Sequence, residues 1–258
     1  MREGNLLDRI LAPGELSVVF QPIFELCEAG QQLHAIECLI RGPRGTNFES
    51  ADLLLEYVRC KREENLVDQV CIETALAAAR TLPGQPQLCV NVHASTVGRG
   101  EPFVTNLVDA AARNAIALSR LTVEVCEHAP PWDGVGFMNA IGGLREVGVR
   151  VALDDIGLGQ SNYKMILDTH PDYFKVDRYI VHGAHADRYR RAVLDSITQL
   201  ASKFGGRVVA EGVENAEDLG TVLAVGIDLI QGFLLSTAVP LADLRESPML
   251  GQPATAAN

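Results

Sequence analysis

The sequence has no long apolar run, which argues against a membrane-spanning protein. None of its 258 residues lies in a stretch approaching the roughly 18 consecutive apolar residues of a transmembrane helix. The N-terminal segment carries Arg2, Glu3, Asp8 and Arg9, so it lacks the uninterrupted apolar core of a secretory signal peptide. We therefore expect a cytoplasmic protein with no membrane segment.

The sequence also has no C-x-x-C pair. Its six cysteines are widely spaced, at Cys27, Cys38, Cys60, Cys71, Cys89 and Cys126. In a chain of this size such spacing is typical of reduced, mostly buried thiols. The pattern therefore argues against both a disulfide framework and a zinc site.

Basic residues are in deficit, which argues against a general nucleic-acid or anionic-membrane surface. The chain has 22 Lys and Arg against 33 Asp and Glu, a formal net charge of −11. An acidic surface offers such partners no attraction, so we expect no DNA partner. A small phosphate substrate is still compatible, because bound divalent cations would reverse the local field.

Polar residues, most of them acidic, recur where short hydrophobic runs end. They are Glu37, Asn91, Glu124, Asp154, Asp155, Lys175, Glu211 and Gln231. In a β/α barrel, residues at the C-terminal ends of strands converge on one mouth. A dense set of carboxylates there is costly unless cations neutralise it. The pattern therefore predicts a metal-dependent enzyme.

Strand-like runs alternate with helical patterns along the chain. The predicted strands are 17–24, 34–41, 87–93, 121–126, 150–154, 173–176, 207–210 and 227–232, and the predicted helices are 65–80, 103–114, 136–147, 188–204 and 216–225. Eight strands suit a closed barrel of roughly 250 residues, predicted here as one domain over 1–245. An open doubly wound sheet fits less well, because the polar strand ends occur along the whole chain.

Two local features complete the fold prediction. The first two strands are joined by 26–32, too short for a helical crossover, so they are expected to be antiparallel. The segment 246–258 is rich in Pro, Ala and Gly and is predicted to be a disordered tail.

The polar strand ends belong to short motifs. In chain order, together with Asn91, these are Phe20-Gln21-Pro22-Ile23, Glu37-Cys38-Leu39-Ile40-Arg41, Glu124-Val125-Cys126-Glu127, Asp154-Asp155 before Gly157-Leu158-Gly159, Lys175-Val176-Asp177, Ala210-Glu211-Gly212-Val213-Glu214 and Gln231-Gly232-Phe233. The series resembles the EAL domain family, whose members linearise cyclic di-GMP, and it covers about residues 16–240. The resemblance implies a TIM-like (β/α)8 barrel with an antiparallel first strand.

The resemblance also implies a metal centre and catalytic residues. The expected metal ligands are Glu37, Asn91, Glu124, Asp154, Asp155 and Glu211. Oxygen donors suit Mg²⁺ or Mn²⁺, two ions are expected with Asp154 bridging them, and no soft ligand is expected to compete. The expected catalytic residues are Glu37, Lys175, Glu127 and Glu211. Lys175 would orient or deprotonate the attacking water, with its pKa lowered by nearby cations, and Glu127 would steady the glycine loop.

Cyclic di-GMP is the implied substrate, and a homodimer and a regulatory partner protein are further expectations. The implied substrate-binding residues are Gln21, Leu39, Arg41, Asp177, Glu214 and Gln231. Each site residue also has an ordinary explanation, since a strand-end Glu is usually solvated and paired Asp residues often cap turns. Their joint occurrence at successive strand ends favours one site.

Five positions in three places depart from the family pattern. Cys38 replaces the signature alanine and, by strand alternation, points away from the face that carries Glu37. The family usually reads D-D-F-G-T-G-Y-S, whereas Ile156, Leu158 and Gln160 stand at the Phe, Thr and Tyr positions of that loop. His93 stands where serine is common and is expected to be a partially buried structural residue.

Three functions are therefore compared. A hydrolase releasing pGpG is favoured, because every expected ligand and the lysine are present. The altered glycine loop supports the alternative of a catalytically impaired receptor or protein-interaction module. An unrelated metal-dependent barrel enzyme would require the ordered motifs to be coincidental.

Overall fold

The structure is a computed structural model that describes residues 6–28, 30–126, 134–158, 162–247 and Leu250, with only the backbone of Asn162. Its strands are β1 (Ser17–Cys27), β2 (Gly30–Arg41), β3 (Gln87–His93), β4 (Leu121–Cys126), β5 (Arg150–Ile156), β6 (Tyr173–Val176), β7 (Arg207–Ala210), β8 (Leu229–Ile230) and β9 (Val239–Pro240).

Eight of these strands close into a barrel. Strands β2 to β8 are parallel neighbours in chain order, and β1 closes the ring by pairing antiparallel with both β2 and β8. The short β9 pairs antiparallel with β1 at Val19 and Phe20. The predicted TIM-like (β/α)8 barrel with an antiparallel first strand is confirmed.

Helices follow most strands and cover the barrel. They are α1 (Leu6–Ile10), α2 (Ala51–Lys61), α3 (Glu64–Ala79), α4 (Ala94–Val97), α5 (Glu101–Arg113), α6 (Gly134–Glu146), α7 (Asn162–Thr169), α8 (Arg178–Val181), α9 (Arg188–Phe204), α10 (Ala216–Ala224) and α11 (Leu241–Arg245). None of the helices in the described ranges is both long enough and apolar enough to cross a membrane.

The predicted elements are present with similar bounds, but β9 and helices α1, α4, α7, α8 and α11 were not predicted, and three further differences are found. The hairpin between β1 and β2 is tighter than expected, because Cys27 already pairs with Gly30. Strand β8 has only two residues, since the chain turns into the mouth at Gln231. Helix α2 was not predicted, although Leu54 and Val58 on its buried face have helical spacing.

Strand alternation separates the core from the site. On β4, Leu121, Val123 and Val125 belong to the main hydrophobic core of the protein. Their neighbours Thr122 and Glu124 are buried polar residues on the opposite, inward face. A separate small cluster of buried residues fills the barrel interior. Its members are Ile23, Ala35, Cys89, Val209 and Leu229.

The end of the barrel opposite the mouth is closed by a polar network. Arg207, at the start of β7, forms ion pairs of 2.8 Å with both Glu25 and Asp228. His34 Nε2 lies 3.0 Å from the hydroxyl of Tyr173 at the start of β6. In barrels of this kind, polar residues at this end serve stability, whereas the mouth carries the site.

The predicted disordered tail, 246–258, lies largely outside the described residues. Of the part that is described, Leu250 is buried against the core. The single-domain prediction for 1–245 stays a prediction.

Candidate metal centre and active site

The polar strand ends named from the sequence meet at the mouth of the barrel. Asn91 on β3 is paired in register with Glu124 on β4, so their side chains emerge side by side. Glu37, on β2, is buried and held from both sides. Asn91 Nδ2 donates to Glu37 Oε1 and Gln231 Nε2 donates to Glu37 Oε2, each at 2.7 Å. Because Asn91 uses its amide nitrogen here, its oxygen faces the remaining acidic groups.

A bulge in β5 brings two consecutive aspartates to the mouth. The pairing of β5 with β6 shifts between Leu153 and Ile156, and Asp155 has a left-handed φ of 53°. In a regular strand, neighbouring side chains would point to opposite faces. Here carboxylate oxygens of Asp154, Asp155 and Glu211 lie within 4.8 Å of one another. The irregular backbone therefore assembles a potential metal-binding cluster.

Lys175 lies at the centre of this acidic group. Its Nζ is 2.7 Å from Glu211 Oε1 and 2.8 Å from Glu124 Oε2. Asp154 Oδ1 at 3.2 Å and Glu37 Oε2 at 3.4 Å complete the shell. The lysine side chain is 2% exposed, so water screens these interactions little.

The carboxylates titrate differently because their surroundings differ. Burial raises the pKa of Glu124 to about 8, and the attraction of Lys175 does not offset this. The pKa of Glu211 is likewise raised well above its usual value, first by burial. Burial also acts to raise the pKa of Glu37, but Lys175, Asn91 and Gln231 outweigh it, and this pKa is lowered.

The pKa of Lys175 lies well above its ordinary value in the ion-free structure. Burial alone would lower this pKa, but the four surrounding carboxylates outweigh it, with Asp154 contributing most. The lowered pKa expected from the sequence supposes bound cations, and the carboxylates alone produce the opposite direction.

The residues present fit divalent cations. Asp154 Oδ1 is buried and has no hydrogen bond among the described residues, although Lys175 Nζ lies within ion-pair distance. Lys175 Nζ therefore attracts Asp154 Oδ1 by charge, but the geometry between them is not that of a hydrogen bond. One ammonium faces the five carboxylates of the mouth, and the charges of Glu37 and Asp154 add to burial in raising the pKa of Glu124. Oxygen donors in such surplus are the chemistry that Mg²⁺ and Mn²⁺ require.

A cleft of about 300 Å³ opens beside Lys175. Five of the six predicted substrate-binding residues line it. These are Gln21, Leu39, Asp177, Glu214 and Gln231. Arg41 is not among the lining residues, and its guanidinium donates to the carbonyl of Ile40 at 2.9 Å. Gln231 supports Glu37 rather than projecting freely into the cleft.

A second cavity of about 510 Å³ adjoins the first and shares Glu37, Leu39 and Asp154 with it. His93, which lines this cavity, is 6% exposed. Its Nδ1 is 2.8 Å from Asp68 Oδ1, and its backbone N–H donates to Asp68 Oδ2. The buried structural histidine predicted from the sequence is present. Its partner Asp68 was missed, because an acidic residue within a helix is usually solvated.

Cys126 is a site residue that the sequence analysis did not assign. Its thiol lies 3.4 Å from Asn91 Oδ1 and 3.8 Å from Asp154 Oδ2. Burial, followed by the charge of Asp154, raises the pKa of this thiol well above its usual value. A soft donor therefore lies beside the oxygen donors, and the expectation that no soft ligand competes with them stays a prediction. Strand alternation from Glu124 would have revealed Cys126, since residues two apart share a face.

The other five cysteines are also free thiols, and the buried Cys89 lies close enough to Glu124 for a side-chain hydrogen bond. Cys38, Cys71 and Cys89 are buried, whereas Cys27 and Cys60 are exposed, so only half of the six are buried outright. Cys38 packs in the main core, as strand alternation predicted.

The loop after β5 is described only as far as Leu158. Gly157 has a φ of 107°, and a Cβ there would approach Ile180 Cδ1 to 1.9 Å, so this position requires glycine. Leu158 is 51% exposed. Gly159, Gln160 and Glu127 lie outside the described residues, so the supporting role assigned to Glu127 stays a prediction.

The fold and site together define a β/α-barrel protein with an acidic cluster at its mouth. A family model described as the EAL domain matches residues 4–238. The chain belongs to the EAL domain family.

Named relatives and solved structures agree with this assignment. The chain is 29% identical to the cyclic di-GMP phosphodiesterase NbdA of Pseudomonas aeruginosa over 245 residues, covering 93% of this chain and 31% of NbdA. It spans between 28% and 48% of the length of the first curated relatives that it matches.

Two solved structures illustrate the similarity. The EAL enzyme Bd1971, bound to cAMP and cyclic di-GMP, superposes with a TM-score of 0.82 at 23% identity, over 93% of this chain and 66% of that one. At that identity the likeness shows the fold alone. Klebsiella pneumoniae BlrP1, in a manganese and cyclic di-GMP complex, gives a TM-score of 0.75 at 28% identity, over 88% of this chain and 57% of that one.

Proposed function

We propose that this chain hydrolyses cyclic di-GMP to linear pGpG in a metal-dependent reaction. The observation that carries the proposal is the convergence of five carboxylates, Asn91 and the buried Lys175 at one mouth beside a cleft. The phosphodiesterase names of relatives, together with the cyclic di-GMP complexes of its structural neighbours, supply the substrate class.

Two divalent cations, Mg²⁺ or Mn²⁺, would be held by the oxygen donors of the mouth. These donors are Glu37, Asn91, Glu124, Asp154, Asp155 and Glu211. When bound, such ions supply positive charge to the reacting phosphate and lower the pKa of an attacking water. The manganese and calcium complexes of BlrP1 support a divalent ion at this type of mouth.

The chain's own groups position the reaction. Asn91 and Gln231 fix the Glu37 carboxylate, so that it needs no reorganisation when substrate binds. The raised pKa of Lys175 keeps its amine protonated in the ion-free state. A protonated amine donates hydrogen bonds, which favours orienting the water over removing its proton. Bound cations would lower this pKa, so that the amine could also remove the proton of the water.

The cleft offers groups suited to a guanine nucleotide. Asp177 and Glu214 line it with carboxylate oxygens, which accept hydrogen bonds from the N–H groups of a guanine edge. Arg178 lies in the same cleft, 3.3 Å from Glu214, and offers a cation to phosphate. Arg41 would reach the substrate only by releasing the carbonyl of Ile40.

A second copy of the chain is the proposed partner at α7. Tyr163 and Leu167 lie one helical turn apart and are 76% and 62% exposed, and Leu158 precedes the same helix. Apolar side chains at this spacing form a stripe that a second copy could cover. Light scattering should show a dimer that Tyr163→Glu and Leu167→Glu together dissociate. Leu223→Glu, on the exposed face of α10, should leave the dimer intact.

We further propose a regulatory partner protein and a cytoplasmic location. Because the chain matches only part of its curated relatives, the additional regions of those proteins are candidates for such regulation.

The proposal is tested by incubating the purified chain with cyclic di-GMP and Mg²⁺ or Mn²⁺ and separating the products by chromatography. Glu37→Gln should abolish pGpG formation and leave the fold intact, because it removes a charge while keeping the side-chain shape. Glu146→Gln, on the exposed face of α6, is the matched control and should keep wild-type turnover. Wild-type turnover by Glu37→Gln would contradict the metal assignment.

The same assay separates the enzyme from a catalytically impaired receptor. Leu158 supports the receptor alternative, because it lacks the hydroxyl group that the family loop usually carries. Saturable binding of intact cyclic di-GMP without product would establish the receptor. Turnover of other phosphodiesters without competition by cyclic di-GMP would instead indicate an unrelated metal-dependent barrel enzyme.

A further inference from the structure

The acidic mouth contains a sulfur donor as well as oxygen donors. Cys126 is the residue two positions beyond Glu124 on β4, and the period of the strand turns both side chains to the same inward face. Cys126 as a residue is half-buried rather than sealed in the core. It lines the larger cavity together with Asn91 and Asp154.

The distances around this sulfur match those of a shared cation. A tetrahedral ion with metal–sulfur bonds of about 2.3 Å and metal–oxygen bonds of about 2.0 Å places sulfur and oxygen ligands about 3.5 Å apart. Cys126 Sγ lies 3.4 Å from Asn91 Oδ1 and 3.8 Å from Asp154 Oδ2. The sulfur therefore lies at the distance of a shared metal ligand from each of these two oxygens.

Ligand softness determines which cation gains from this arrangement. Mg²⁺ and Mn²⁺ prefer oxygen and gain little from sulfur, whereas Zn²⁺ and Cd²⁺ bind thiolates strongly. Asp154 Oδ1, which has no hydrogen bond among the described residues, provides a further oxygen beside the same group.

We propose that Cys126 makes this mouth a binding site for thiophilic divalent cations, Zn²⁺ above all, in competition with Mg²⁺ or Mn²⁺. The ion binds Cys126 Sγ together with the oxygens of Asn91 and Asp154, and the thiol proton passes to water. This inference rests on the metal site of the proposed function. Its consequence is reversible inhibition by zinc, because an ion held by Cys126 occupies oxygens that the hydrolytic ions require.

The test uses Cd²⁺ alone as the probe, since a cadmium–thiolate bond has an ultraviolet charge-transfer band that needs no turnover. The reference protein carries Cys27→Ser and Cys60→Ser, which removes the two exposed thiols. The test protein adds Cys126→Ser. Titration of the reference should give a band that saturates at one ion per chain, and the test protein should lose it.

Competition shows whether the ion shares the oxygen ligands. Excess Mg²⁺ should shift the cadmium midpoint of the reference protein upwards. Zinc affinity, measured by displacement, should fall by about tenfold or more in the test protein, as is typical for the loss of one metal-binding group. Magnesium affinity should change far less, because Cys126 contributes little to an oxygen-preferring ion.

Three results would overturn the proposal. These are a band that persists without Cys126, no band in the reference protein, and a band that Mg²⁺ does not shift. If the serine variant fails to fold by circular dichroism, Cys126→Thr serves in its place. A cadmium band in a chain without turnover of cyclic di-GMP would reject the proposed hydrolase and keep the thiol site, so the two failures are distinguishable.

Discussion

Lys175 Nζ donates a 2.8 Å hydrogen bond to Glu124 Oε2, and both side chains are almost entirely buried. This pair connects β6 to β4 across the barrel interior. Burying these two groups is costly, and the attraction of Lys175 only partly offsets the burial of Glu124, whose pKa stays raised at about 8. Removing one partner therefore has consequences both for the fold and for the reaction.

Lys175→Met should lower kcat more than it raises KM for cyclic di-GMP. The substitution removes the group proposed to orient the water, whereas the cleft residues proposed to hold the nucleotide remain. Above pH 8, where Glu124 is ionised, the ion-free protein should also lose about 3–5 kcal/mol of unfolding free energy. Steady-state kinetics and urea denaturation in EDTA measure the two effects.

The matched control is Lys164→Met, which removes an exposed lysine paired with Asp168 on α7. Lys164→Met should change neither the kinetic constants nor the unfolding free energy appreciably, since exposed ion pairs contribute less than about 1 kcal/mol. A Lys175 variant that weakened binding alone would exclude the water-orienting role.

The ion-free protein should become less stable as pH rises towards 8. The pKa of Glu124 is about 8 in the folded chain and is raised from an ordinary value of 4.5. A carboxyl group with a raised folded pKa stabilises the fold below its unfolded pKa and loses that contribution as pH rises through the folded pKa. The raised pKa of Glu211 acts in the same direction.

Thermal melts in EDTA at intervals from pH 5 to 8 would measure this loss, and Glu124→Gln should flatten it. Added Mn²⁺ should stabilise the protein more at pH 8 than at pH 5, because deprotonated carboxylates bind cations better. An ion-free stability that rose over this interval would contradict the assignment.

Asp155 combines a proposed ligand role with a strained backbone, and two variants separate them. Asp155→Gly should keep or raise stability, because glycine adopts the observed φ of 53° without cost. Asp155→Asn should also keep the fold, since asparagine tolerates this conformation, while losing the charge. Both variants should weaken Mn²⁺ binding by calorimetry, and a variant that bound Mn²⁺ normally would remove Asp155 from the ligand set.

Asp68→Asn should destabilise the wall of the larger cavity. Asp68 Oδ2 accepts from the backbone N–H of His93 and from the Thr96 hydroxyl, while Oδ1 pairs with the His93 ring. An asparagine can reproduce the acceptor on one side only, so about 2–3 kcal/mol of unfolding free energy should be lost. Thr96→Ser keeps the hydroxyl and should cost less, and urea denaturation compares the two.

Much of the barrel could be predicted because its strands follow a simple alternation. The bounds of β3, β4, β6 and β7 agree with the sequence pattern, as do the polar residues that end them. The bulge at Asp154 and Asp155 was not predictable in this way. A period of two places consecutive residues on opposite faces, and only the local backbone brings both to the mouth.

Arg41 shows a different limit of sequence reasoning. It shares the alternation of Glu37 and Leu39, yet its guanidinium bonds to the carbonyl of Ile40 at the end of β2. Alternation sets where a side chain leaves the backbone, and the direction of a long flexible side chain beyond that point depends on its partners. Asp68 was missed for a related reason, because its burial depends on α3 packing against the barrel.

The reversed direction of β1 determines where the chain enters the barrel. Ser17 pairs with Arg41 at the mouth end of β2, whereas Cys27 and Gly30 meet at the opposite end. In a barrel made only of parallel strands, the chain would enter the first strand at the end opposite the mouth. Here α1 and the approach to β1 lie on the side of the mouth, where Ile10 and Leu16 pack with residues of α2. Helix α2 forms one wall of the larger cavity, so a displacement of the segment before β1 would act first on this cavity.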